Sequence, residues 1–101
     1  MANNILKWSK RAREDNRKLF AYLLEEWGED IALRVRKEIE ESPVRIRDFP
    51  EQFPIFLKEK QIRRYVLTRQ TSILFKVNKE LIEIVTLFDN RQNPKKLKNL
   101  K

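Results

Sequence analysis

Apolar residues recur every three or four positions between Ala12 and Ile39, and from Ile62 onward they alternate with a period of two; the change happens once. That single switch restricts the fold more than any other feature. It calls for helices followed by an antiparallel sheet, not for strands and helices in alternation. Ala12, Asn16, Leu19, Phe20, Leu23, Leu24 and Trp27 form one stripe, with Arg13, Arg17, Lys18, Glu25 and Glu26 opposite, so a helix is predicted from a Ser9 cap to Trp27. Gly28, the only glycine, suits a left-handed position just past its end. A second helix is predicted over Asp30 to Glu41, with Ile31, Val35 and Ile39 inward and Pro43 ending it, which makes a helix hairpin.

In the second half, "IRRYVLTR" puts Arg63, Tyr65, Leu67 and Arg69 on one face and Ile62, Arg64, Val66 and Thr68 on the other. "SILFKVN" sets Ile73, Phe75 and Val77 against Leu74 and Lys76. "NKE" turns the chain into Leu81 to Phe88, which is apolar on both faces and is expected to be the central strand. Asn4 to Trp8 is a short strand able to join this sheet. Pro43 to Gln61 is expected to be a loop, pinned to the core by the phenylalanines of "FPEQFPIF". The expectation is one α+β domain over residues 1–101: an N-terminal strand, a helix hairpin, then a three-stranded antiparallel meander, all in one sheet. For the basic tail at 95–101, a flexible arm and a segment tucked down by Leu97 and Leu100 are both open.

With neither cysteine nor histidine, the chain lacks a disulfide framework, a thiolate nucleophile, the usual zinc ligands and an imidazole base. No metal and no cofactor is expected. No apolar run approaches the roughly 20 residues of a membrane span, and "MANNILKWSK" lacks the apolar core of a secretory signal, so a cytoplasmic location is expected. Residues 1–57 hold 11 Lys or Arg against 11 Asp or Glu, whereas residues 58–101 hold 12 against 4, so the whole +8 excess lies in the second half. Such asymmetry favours a polyanionic partner, whether nucleic acid or an acidic protein.

The stretches "WSKRAREDNRKLFAYLLEEWGEDIALRVRKEIEESP" and "IRRYVLTRQTSILFKVNKELIEIVTLFDNRQNP", with the linker between them, resemble the RelE/ParE superfamily of toxins from bacterial type II toxin–antitoxin pairs. The likeness spans roughly residues 4 to 96 and is most specific where an arginine on the first meander strand is followed by "ILFKV" and then by an apolar strand closing on Arg-x-x-Pro. The resemblance implies a growth-inhibiting, plasmid-stabilising toxin whose basic sheet face lies opposite the helices, neutralised by a cognate antitoxin with an acidic toxin-binding segment. It also implies one of two modes of action: poisoning of DNA gyrase, or another non-nucleolytic poisoning, for ParE-like members, or cleavage of messenger RNA on the ribosome for RelE-like endoribonucleases.

For the nuclease alternative, the residues matching by motif are Lys58 and Lys60 in the linker, Arg64 on the first meander strand and Arg91 after the last. For binding a nucleic acid or a protein partner they are Arg63, Arg64, Arg91, Lys95 and Lys96. "NPKKLKNLK" carries no equivalent of the family's terminal tyrosine, which tips the reading toward the ParE-like side. Whether the protein is an enzyme stays open. A third alternative is a small non-toxic nucleic-acid-binding module, but no interleaved aromatic platform for stacking bases supports it.

Overall fold

The computed structural model describes residues 5–90, with only the backbone of Ile5. Strand β1 (Ile5–Trp8) leads into helix α1 (Lys10–Trp27) through Ser9, whose Oγ accepts the Ala12 N–H at 2.9 Å. The same hydroxyl donates to the Val85 carbonyl at 2.7 Å, and the Ser9 N–H donates to that of Ile84 at 2.9 Å. One residue therefore caps the helix as expected and also ties its first turn to the last strand.

Helix α2 (Glu29–Asp48) follows after a single residue. Gly28 has φ 90° and ψ 171°, so it takes the positive φ expected of it, but in an extended region closed to other residues and not in the left-handed helical one. The predicted end of α2 at Glu41 is overturned, because the helix continues through Pro43 to Asp48. Pro43 has no N–H to offer the Ile39 carbonyl one turn back. The hydroxyl of Ser42, fully buried, supplies that bond at 2.7 Å. Ala32, Ile39 and Ile46, at seven-residue intervals, then carry the buried stripe through the proline. Ser42→Ala should strand the carbonyl and cost about 1–3 kcal/mol, read as a lower midpoint in chemical denaturation; an unchanged midpoint would mean that water serves that carbonyl equally well.

Strands β2 (Ile55–Leu57), β3 (Ile62–Val66), β4 (Thr71–Asn78) and β5 (Leu81–Asp89) complete a five-stranded sheet in the order β1-β5-β4-β3-β2. The meander is antiparallel throughout, and β1 joins β5 in parallel. Two expectations are corrected here. The linker is not all loop, since it contributes the edge strand β2, which starts directly after Pro54 and pairs with β3 in an irregular register. The central strand is therefore β4, and β5 is the interior strand beside it. Opposite β4, Leu74 faces Thr86 while Phe75 faces Ile84, so Val85 is the extra residue of a bulge.

The alternation read from the sequence sorts the core onto the two sheet faces. Ile73, Phe75, Ile82 and Ile84 pack against Ala12 of α1 and Ile46 of α2; Ile62, Leu74, Val85 and Phe88 form a second cluster, with Phe56 and Leu57, on the face away from the helices. Phe53 packs on Tyr65 and Phe75, and Phe56 on Phe88, as pinning of the linker requires, whereas Phe49 is exposed. The α1 stripe is only partly used: Leu24 and Trp27 are 40% and 58% exposed. Bonds from α1 to β5 come from its start, at Ser9 and Asp15, and the distal half of the hairpin reaches past them. No helix among the described residues is long and apolar enough to cross a membrane.

Candidate functional site

That unused apolar surface lines an open groove of about 860 Å³ between the distal hairpin, the β3–β4 turn and the end of β5. Leu19, Leu23, Ile31, Val35 and Leu87 contribute apolar lining, Thr68 to Thr71 form one wall, and Tyr22 and Trp27, 47% and 58% exposed, stand beside it. Arg11, Lys18 and Arg69 also border it, and none forms an ion pair with a described residue. Of the two carboxylates present, Asp15 is engaged by the Thr86 hydroxyl and, at 3.3 Å, by the Leu87 N–H. The groove thus offers an apolar lining under a net positive rim, a match for an amphipathic segment with acidic flanks.

On the opposite sheet face lies a second arrangement, centred on Arg64. Its guanidinium carbon sits 5.2 Å from the centroid of the Phe56 ring, and its Nε donates to Ser72 Oγ at 2.9 Å. Ser72 donates onward to Asn90 Oδ1 at 2.6 Å, and Asn90 Nδ2 donates to the Arg69 carbonyl at 3.2 Å. Arg63, one residue earlier, points to the helix side and is used differently: its Nη1 donates to the carbonyls of Phe53 at 2.6 Å and Glu51 at 3.2 Å, holding the linker down. The pair faces opposite ways, as period two requires, and of the two only Arg64 keeps its terminal nitrogens without a described partner.

Lys58 and Lys60 fall in the 3-10 turn between β2 and β3, Lys58 exposed and Lys60 half-buried, with Gln61 capping the Lys58 carbonyl. Arg91, Lys95 and Lys96 lie outside the described residues, so the described chain stops one residue short of the predicted terminal arginine. Tyr65 is structural: its ring is 5.1 Å from that of Phe53, and its hydroxyl accepts from Arg45 Nη1 at 3.0 Å. That hydroxyl first, then the Glu38 carboxylate, hold the Arg45 guanidinium above the ordinary arginine range. Phe56, Ser72 and Asn90 were not foreseen as partners of Arg64. One signal was available, since Ser72 is a hydroxyl in an interior strand on the face that Arg64 shares.

The family model described as the ParE toxin of the type II toxin–antitoxin system parDE matches residues 6–94. The chain belongs to the ParE toxin family. Among solved structures, one titled "Chromosomal ParDE TA system from P. aeruginosa" is similar to this protein with a TM-score of 0.73 and 22% identity, over 88% of this chain and 98% of that chain. At that identity the likeness speaks for the fold, and it accounts for the helix hairpin laid on a mixed sheet. No curated protein matches. This ParE-type protein is the toxin component of a type II pair, and its partner is a cognate antitoxin.

Proposed function

We propose that this ParE-type toxin acts in the cytoplasm by poisoning DNA gyrase, and that its antitoxin silences it with an acidic amphipathic segment seated in the groove between the hairpin and the β3–β4 turn. The observation that carries the antitoxin half is the groove itself: apolar residues left partly open beside Arg11, Lys18 and Arg69, none of which forms a salt bridge with a described residue. A carboxylate-rich helix or strand would bury the first and pair with the second.

The target half is supported by the lack of the imidazole and of the terminal tyrosine that cleavage would most readily use. RNA cleavage needs a general base and a general acid beside the phosphate. The sequence has no histidine and only two tyrosines; Tyr65 is committed to Arg45 and Phe53, and Tyr22 belongs to the groove. Poisoning by binding asks for surface complementarity alone. The purified toxin should block supercoiling by gyrase while leaving cell-free translation intact, and added antitoxin should restore supercoiling. Cut messenger in the translation assay, with supercoiling unaffected, would establish the nuclease alternative in its place.

A further inference from the structure

Asp15 is the one carboxylate of α1 that lines the groove, and it is half-buried where Leu19 and Leu87 line it too. Both of its described hydrogen bonds fall on one oxygen. Oδ2 accepts from the hydroxyl of the buried Thr86 and, at 3.3 Å, from the Leu87 N–H, which ties α1 to β5 just beyond Ile84, where β1 stops pairing with that strand. Oδ1 has no described partner. Arg11 and Lys18, one turn before it and one after it on the same helix, are exposed and form no ion pair with it. The carboxylate is thus anchored through one oxygen, while the other lacks a donor from the described chain. An open groove tolerates such an oxygen because solvent can reach it. A filled groove does not. An apolar side chain laid over it would strand a charge, and a carboxylate laid over it would add like-charge repulsion.

We propose, resting on the reading of the groove as the antitoxin's seat, that Asp15 is a specificity-determining residue whose open oxygen receives one arginine or lysine from the otherwise acidic antitoxin segment. The groove then selects by pattern and not by net charge alone: acidic groups meet Arg11, Lys18 and Arg69 at the rim, and a single cation meets Asp15. An equally acidic segment with an apolar or acidic residue at that point leaves the aspartate stranded. Asp15 therefore separates the cognate antitoxin from other acidic segments by what it rejects.

The test is calorimetric titration of wild type, Asp15→Asn and Trp27→Ala with the cognate antitoxin, beside a thermal melt of each toxin, and with every Lys and Arg of the antitoxin's toxin-binding segment changed singly to Gln. Asparagine suits the purpose because its carbonyl can keep accepting from Thr86 and Leu87 while its NH2 replaces the open oxygen, which turns a donor toward a donor. Asp15→Asn should weaken antitoxin binding by at least about 30-fold, as for a covered charge pair that loses one member. The melting temperature of the free toxin should shift by no more than about 8 °C. One antitoxin Lys or Arg should show a similar loss against wild type, and the two changes together should lose little more than either alone. If Asp15→Asn binds as tightly as wild type while Trp27→Ala binds weakly, the role of Asp15 is overturned and the groove reading stands. Unchanged binding in both variants would overturn the groove reading and this inference with it. A loss in Asp15→Asn to which no antitoxin cation is coupled would reduce the aspartate to a structural tie between α1 and β5.

Discussion

Trp27→Ala should weaken antitoxin binding by about 30- to 700-fold, the effect of about 2–4 kcal/mol expected when a central aromatic anchor is truncated. The toxin's own stability should move by no more than about 0.5 kcal/mol, as for exposed positions generally. The contrast rests on exposure: with 58% of its surface in water, Trp27 contributes little to the folded monomer, yet it stands beside the apolar groove that the partner is proposed to fill. Tyr22→Ala, at 47% exposure on the same groove, should act in the same direction with a smaller effect. Calorimetric titration of each variant with antitoxin, beside a thermal melt of the toxin alone, separates the two quantities. If antitoxin affinity is untouched in both variants, the antitoxin sits elsewhere.

Phe75→Ala should destabilise the fold severely. Phe75 is fully buried on β4, the one strand flanked by two others on each side, and its ring meets Phe53 edge to face at 5.7 Å. Emptying such a site costs about 3–5 kcal/mol, against a total of roughly 5–15 kcal/mol for a domain of this kind. A fall in melting temperature of about 12–40 °C is expected, from the usual slope for domains of this size. Phe49→Ala is the control. Phe49 belongs to the same phenylalanine-rich linker but is 65% exposed, and its loss should stay within about 0.5 kcal/mol. Equal losses for the two would mean that the linker, not the sheet, is the stability-determining packing.

Legibility followed the range over which each physical rule acts. Period and capping are local, and they placed α1, β3, β4 and β5 to within about three residues, as well as the opposite facing of Arg63 and Arg64. Pro43 misled because its local effect, a missing N–H, was offset by a neighbour: Ser42 supplies the Ile39 carbonyl, and only a buried environment makes that bond worth keeping. The linker misled for a similar reason. Three residues bounded by Pro54 carry too little period to announce a strand, and Ile55–Leu57 becomes one only because β3 presents a free edge beside it.

The candidate sites divide in the same way. Net charge, the absence of histidine and the superfamily resemblance are properties of the chain, and the resemblance pointed to the class of protein and to a cognate antitoxin before any contact was known. The groove is not such a property, because Leu23 and Trp27 belong to the stripe that should have been buried; only the reach of the hairpin past the sheet leaves Leu23 half-buried and Trp27 exposed. Nor is the Arg64 site, whose members Phe56, Ser72 and Asn90 lie 8, 8 and 26 positions away and meet through strand pairing and the closing of the β3–β4 turn on β5. By itself, then, the sequence determined α1, the meander strands, their faces and the sign of the charge, since these depend on neighbours within a few residues. The tertiary structure decided which apolar residues stay open and which arginine keeps its terminal nitrogens available, because both depend on what distant segments happen to cover.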